Sequence, residues 1–252
     1  MSSEADLLTA PVAAAAGPGI DVRGLTKNYG ARAAVAGLDL QVRPGEVYAL
    51  LGPNGAGKST TIACLLGFVQ ADAGTIRLAG SALPPARAAV AHAAYISENV
   101  ALYERLTGIE NVEFFLRLQG RPVQRSHIEA LLARAGLASE AFSRQAHTYS
   151  KGMRQKVGIV MALAKGAQVL VLDEPTSGLD PQASKVFGTL LRELAGEGVA
   201  VLMATHDLFR AQETAHRCGM LVAGRLVGEW NLGELHAGEL EQHYLRTLAV
   251  AA

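Results

Sequence analysis

Little in this chain suits it to an oxidising compartment, a bilayer core or a nucleic acid backbone. Only two of its 252 residues are cysteine, Cys64 and Cys218. Both lie inside apolar periodic segments without CxxC spacing, which reads as buried free thiols in a reducing compartment rather than a disulfide or metal site. A basic excess is missing: 23 Lys and Arg balance 23 Asp and Glu. Proteins that neutralise many phosphates of a nucleic acid usually carry such an excess, so no nucleic-acid partner is expected. Long apolar runs are also missing. The longest, Val157 to Leu172, is interrupted by Lys165, Gly166 and Gln168 and is too short to span a bilayer. Any membrane role must come through another subunit. The first 19 residues carry Glu4 and Asp6 where a secretory signal is basic, and read as a loose tail. No internal repeat and no heptad pattern is present.

The length suffices for one large domain, or for a domain with an inserted subdomain. Alternating residues in IDVRGLTKNYG and AAVAGLDLQV predict two short strands near a sheet edge. EVYALLG then predicts a buried strand, and KSTTIACLLGF a helix after a glycine-rich loop. GTIRLAG and VAHAAYIS predict further strands. Two segments, LTGIENVEFFLRLQG and PVQRSHIEALLARAGL, have i, i+3, i+4 apolar spacing, so residues 98–155 are expected as a mostly helical insertion. Beyond it come a helix to Ala164, the strand QVLVLDEP, a helix from Pro181 to Leu194, the strand VAVLMATHD, a helix from Leu208 to Ala215, and strands around CGMLVAG and RLVGEW. Near-continuous apolar strands such as VLVL require a parallel sheet covered on both faces.

GPNGAGKST, Gly52 to Thr60, fits GxxxxGK[ST] between a predicted strand and a predicted helix. Gly52, Gly55 and Gly57 let backbone N–H groups close around phosphate oxygens, and the following helix directs its positive end at them. Lys58 brings an ammonium to the β and γ phosphates, and Ser59 a hydroxyl to Mg²⁺. Tyr29, at a strand end, is either a base-stacking ring or a plain edge tyrosine. VLVLDEPTSGLDP places Asp173 and Glu174 just past a buried strand. Ligands of open α/β sheets gather at the carboxyl ends of strands, so the pair should face the phosphate loop, with Asp173 on Mg²⁺ and Glu174 polarising a water. His206 ends a third strand and could reach the γ-phosphate.

The order GPNGAGKST, SKGM, VLVLDEPTSGLDP and His206 resembles the ATP-binding subunit of ABC transporters from about Ile20 to Glu229. The resemblance implies a P-loop NTPase (RecA-like) α/β core with an edge antiparallel β subdomain and an inserted α-helical subdomain. The core would occupy residues 20–97 and 156–232, the helical part 98–155, and residues 233–252 a short helix or tail. It implies ATP as substrate with Mg²⁺. Gly52, Pro53, Asn54, Gly55, Ala56, Gly57, Lys58, Ser59 and Thr60 would bind ATP with Tyr29 on adenine. Ser59, Asp173 and Glu98 would serve the metal, and Glu174 and His206, with Lys58, the hydrolysis.

It also implies a dimer with a second copy or a homologous cassette. Ser150, Lys151, Gly152 and Met153 would then bind the opposite subunit's ATP, and Ser177, Gly178, Leu179 and Asp180 would form the loop that crosses between subunits. The remaining partner would be an integral-membrane permease, holding the chain peripherally at the cytoplasmic face. Two places depart from the common pattern. The signature reads YSKGM where LSGGQ is usual, so Lys151 adds positive charge near the triphosphate. YISEN carries Glu98 where a glutamine is general, a stronger ligand for a hard cation that cannot donate an amide N–H. The surrounding SENVALYERLTGIENVEFFLRL looks like the exporter-type branch. KGMRQ and SEN are also similar to cassettes of antibiotic or peptide export and of copper-enzyme assembly. The other readings are an importer cassette, or a soluble ABC ATPase acting on ribosomes or nucleic acid.

Overall fold

A computed structural model describes residues 19–83, 91–121, 123–236 and 238–251. The expected tail, apart from its last residue, lies outside the described residues. Two sheets organise the chain. The first has four antiparallel strands in the order β2-β1-β4-β5, with β1 Ile20–Tyr29, β2 Arg32–Val42, β4 Ala73–Leu78 and β5 Ser81–Leu83. The second has six strands in the order β10-β9-β3-β8-β7-β6: β3 Val47–Leu51, β6 Ala93–Ile96, β7 Val169–Asp173, β8 Ala200–Thr205, β9 Arg217–Val222 and β10 Arg225–Asn231. All pairings in it are parallel except β9 with β10.

β1 and β2 are 10 and 11 residues long, not short as expected. Register shifts between Val22 and Leu25 and between Lys27 and Asn28 bend the pair, so it continues where a flat ladder would diverge. β5 escaped sequence reading. It follows a two-residue turn, Ala79 and Gly80, in which both residues have positive φ (47° and 79°), as the type I′ hairpin requires. Alanine seldom takes that conformation, so the turn lacks the Asn-Gly signal.

Residues of the parallel strands alternate between two cores, as a period of two demands. Val47, Ala49, Leu51, Leu170, Leu172, Val201 and Met203 belong to one, which includes buried residues of the helical segments within 109–162. Tyr48, Leu50, Val169, Val171, Ala200, Leu202 and Ala204 belong to the other, which includes the antiparallel sheet and Ile62, Cys64 and Leu65. Covering on both faces explains why these strands read as unbroken apolar runs.

The helices are α1 Lys58–Leu65, α2 Gly108–Leu118, α3 Arg125–Arg134, the single turn α4 Ser139–Phe142, α5 Lys151–Ala164, α6 Pro181–Gly196, α7 Leu208–Thr214 and α8 Glu239–Ala251. α2 begins with a capping box. The Thr107 hydroxyl accepts from the Glu110 N–H, and the Glu110 carboxylate accepts from the Thr107 N–H. α2, α3, α4 and the start of α5 lie within residues 98–155, joined by loops. α5 then runs unbroken past that boundary to Ala164, so insertion and core share one helix. Buried apolar residues such as Ile109, Val112, Leu116, Ile128 and Leu132 pack the insertion, each stabilising it by roughly 1.5–3 kcal/mol on leaving water. No helix among the described residues is long and apolar enough to cross a membrane.

Both thiols are free and buried, Cys64 at 2% and Cys218 at 0% exposure. Burial raises both pKa values, that of Cys218 to about 12. Little thiolate forms in the native protein at pH 8. Ellman's reagent at that pH should therefore find no fast-reacting thiol in native protein and two after denaturation. One rapid native equivalent would contradict this packing.

Candidate functional site

The phosphate loop lies between β3 and α1. Its glycines are fixed by close approach: a Cβ on Gly57, whose φ is 110°, would sit 2.3 Å from the Ala34 carbonyl oxygen. A Cβ on Gly52 would sit 2.3 Å from the carbonyl of Leu221. The loop is thus seated on β2 and β9, while Asn54 and Gly55 stay exposed. Lys58, only 6% exposed, donates from Nζ to the carbonyl of Gly52 at 2.6 Å and that of Pro53 at 3.4 Å. Such an arrangement holds the ammonium at the loop mouth.

β7 delivers the acidic pair, and β8 lies between β7 and β3. Asp173 has the Ser59 hydroxyl as a polar neighbour across the loop. Burial pushes its carboxyl upward, a shift opposed by Ser59 and Lys58 and reinforced by Glu174 and Glu98. Glu174 takes φ of 46°, a conformation costing roughly 1 kcal/mol or more outside glycine. Beyond this bend its side chain lies at the carboxyl end of β8. There Oε2 accepts from Thr205 Oγ1 at 2.9 Å, Oε1 lies 2.9 Å from His206 Nδ1, and the Lys58 ammonium is 3.7 Å from Oε1. Carboxylate, imidazole and ammonium therefore meet at one point.

Tyr29 ends β1 and is 53% exposed. Asp72 fixes the strand beside it, accepting from Lys27 Nζ at 2.8 Å and the Asn28 N–H at 2.7 Å, and the Lys27 ammonium lies 5.6 Å from the centre of the Tyr29 ring. A cavity of about 490 Å³ joins Tyr29 to the loop, Asp173, Glu174 and Glu98. Arg32 lines it too, donating to the Gly55 carbonyl at 3.3 Å, and sequence reasoning missed it. Its signal was available as a cation three residues after the candidate aromatic.

The remaining predicted residues cluster at the N-terminus of α5. Ser150 is its N-cap, the hydroxyl accepting from the Met153 N–H at 3.3 Å. Tyr149 before it is buried, accepting from the Gly108 N–H and donating to the Ala141 carbonyl. This buried phenol anchors the exposed Ser150 to the helical insertion. Asp180 caps α6 through the Ala183 N–H with Pro181 in the first turn, which is the local reason for GLDP. Within this chain the 177–180 loop packs on α5: a Cβ on Gly152 would lie 3.4 Å from the Leu179 side chain. Glu98 lies between them, its Oε1 accepting from Ser177 Oγ at 2.9 Å and Lys151 Nζ at 3.1 Å.

The described residues hold no group of three or more His, Cys, Asp or Glu able to bind a metal unaided. Mg²⁺ commonly takes one or two carboxylates and completes its shell with water and nucleotide phosphates. The Ser59 hydroxyl and the Asp173 carboxylate are oxygen donors of the required kind.

A glycine-rich loop between a parallel strand and a helix, facing an acidic pair two strands away, defines a P-loop nucleoside triphosphatase. A family model described as ABC transporter matches residues 35–177, more than half the chain. A Nod factor export ATP-binding protein of Paraburkholderia xenovorans is 39% identical over 85% of this chain and 71% of its own length. A daunorubicin resistance ATP-binding protein of Streptomyces coeruleorubidus is 38% identical over 86% of this chain and 70% of its own. Among solved structures, an ATP-binding subunit of an ABC transporter superposes with a TM-score of 0.77 at 30% identity, covering 90% of this chain and 99% of that one. A dimeric bacterial ABC transporter cassette gives 0.75 at 25% identity, over 84% and 98%. The chain belongs to the ABC transporter family and is an ATP-binding subunit with the ATPase activity of that family.

Proposed function

We propose that two copies, or this chain and a homologous cassette, close head to tail around two ATP molecules and hydrolyse them to drive export through a separate integral-membrane subunit. In each site Tyr29 stacks on adenine, residues 52–60 wrap the phosphates, and Lys58 moves from its own loop carbonyls to the β and γ oxygens. Ser59 and Asp173, with Glu98 near, would hold Mg²⁺, which would supply positive charge to the triphosphate. Glu174 accepts a proton from the attacking water, and His206 holds the γ-phosphate and orients Glu174. Ser150, Lys151, Gly152, Met153 and the positive end of α5 contact the γ-phosphate of the partner's ATP. Residues 177–180 line the subunit boundary. ATP thus joins the subunits, and hydrolysis releases them.

The observation that carries the transport reading is a second groove, of about 500 Å³, between the sheet edge at β6 and the helical insertion. Ile96, Val100, Tyr103, Phe114, Phe115 and Leu118 line it, with Tyr103 60% and Leu118 71% exposed. An apolar patch this open marks a binding surface. It adjoins Ser97, next to Glu98, so a helix of the membrane subunit seated there would sense the nucleotide pocket from the cytoplasmic face. Export is supported by the named roles of the Nod factor and daunorubicin relatives.

Co-expression with the membrane subunit tests this. Leu118→Asp should abolish co-purification while leaving the ATPase activity of the free cassette within about twofold, as expected of an exposed substitution. Undiminished co-purification of the variant would remove the groove from the account.

A further inference from the structure

Glu98 and Lys151 stand 53 positions apart and meet in space. Each departs from the common pattern, and each makes sense through the other: a glutamine at 98 carries no charge for an ammonium, and a glycine at 151 carries no ammonium. The contact is oriented as well as close. Lys151 and Ser177 both donate to the same oxygen, Oε1. The Glu98 main chain is held separately, because the wholly buried Gln155 donates to the carbonyls of Glu98 at 2.9 Å and Ser97 at 3.3 Å. With the backbone fixed to α5, only the side chain is free to change partners. That side chain lines the nucleotide cavity with Asp173 and Lys58.

The Lys151 stem lies along the 177–180 loop, where a Cβ on Gly178 would stand 3.7 Å from Nζ. Ion-pair exposure is intermediate, 27% for the Lys151 and 46% for the Glu98 side chain. A pair so placed is weak enough to be displaced by a stronger ligand of either partner.

We propose that Lys151 is a positioning residue for Glu98. In a lone subunit, Lys151 and Ser177 hold the Glu98 carboxylate against α5 and away from the metal. When the carboxylate turns to Mg²⁺ in its own pocket, Lys151 and Ser177 are released together, Lys151 toward the γ-phosphate of the partner's ATP and Ser177 toward the subunit boundary. Loading of one site and presentation of the same subunit to the other are then a single exchange of partners. This inference rests on the ATP-sandwich reading above.

Lys151→Gln, Glu98→Gln and the double variant test it, with Lys151→Arg as the conservative control. The first readout uses no nucleotide: thermal midpoints of the wild type, Lys151→Gln, Glu98→Gln and the double variant in EDTA should be non-additive, with Lys151→Gln destabilising only when Glu98 is present. The second is a Mg²⁺ titration of mant-ATP binding. Freed from Lys151, Glu98 should meet the cation more readily, so Lys151→Gln lowers the Mg²⁺ midpoint by about threefold, the scale of a weak ion pair. In the Glu98→Gln background the same change should have no effect, and Lys151→Arg should keep the wild-type midpoint. Additive thermal midpoints, or equal Mg²⁺ shifts in both backgrounds, overturn the proposal while the functional reading stands. Failure of the wild type to bind mant-ATP at any Mg²⁺ concentration overturns both.

Discussion

Glu174→Gln should bind ATP, lose turnover by roughly 10²- to 10⁴-fold, the usual contribution of a general base, and accumulate as a dimer. The amide keeps the volume of the carboxylate and its hydrogen-bonding reach to Thr205 and His206, both 2.9 Å from the native oxygens. It loses the charge that lies 3.7 Å from the Lys58 ammonium and the basicity needed to take a proton from water. Binding survives because the phosphate loop is untouched. The closed state persists because its ATP is not consumed. Sedimentation velocity with saturating Mg²⁺ and ATP reads the result directly, and a purely monomeric variant under those conditions would count against the sandwich.

The second large effect belongs to Lys58→Ala. Lys58 is nearly buried and its ammonium already sits at the loop mouth, 2.6 Å from the Gly52 carbonyl. It need only exchange backbone carbonyls for phosphate oxygens. Its removal takes the nearest cation away from the Glu174 carboxylate as well as from the triphosphate. Charge-assisted hydrogen bonds contribute roughly 1.5–3 kcal/mol each, so two lost phosphate contacts predict ATP affinity lower by about a hundredfold or more. Turnover should fall below detection. Calorimetry with ATP and a phosphate-release assay together check it, and normal hydrolysis by this variant would refute the assignment of the loop.

Much of the geometry of the candidate site was legible because its residues are local in sequence. The phosphate loop places positive φ and a missing side chain at Gly52, Gly55 and Gly57, so GPNGAGKST states its own backbone. The acidic pair likewise follows its strand directly. Parallel strands were legible as unbroken apolar runs, since both faces are covered. What stayed hidden depended on contacts across long separations or on atypical turns. The contacts of Lys151 and Ser177 with Glu98 join three segments that no periodicity connects. Tyr149 reads as a member of a signature, yet it is the buried anchor of Ser150 through Gly108 and Ala141. The strand β5 was lost because Ala79 occupies a position that usually selects asparagine or glycine. The final segment was left open between helix and tail, and the structure makes it the helix α8, where His243 lies against Trp230 with ring centres 5.1 Å apart.

In the proposed sandwich, the ATP on one subunit's phosphate loop is completed by Ser150 of another. Asn54 and Ser150 are both exposed, while the two native thiols are buried, so cysteines introduced at these positions can be addressed alone. Asn54→Cys and Ser150→Cys, each in the Glu174→Gln background, are mixed and treated with a short bis-maleimide, and covalent dimers are counted on a denaturing gel. A cross-link between positions 54 and 150 of different chains is expected with Mg²⁺ and ATP and not with nucleotide omitted. Equal cross-linking with and without ATP, or none in either case, would rule out the sandwich.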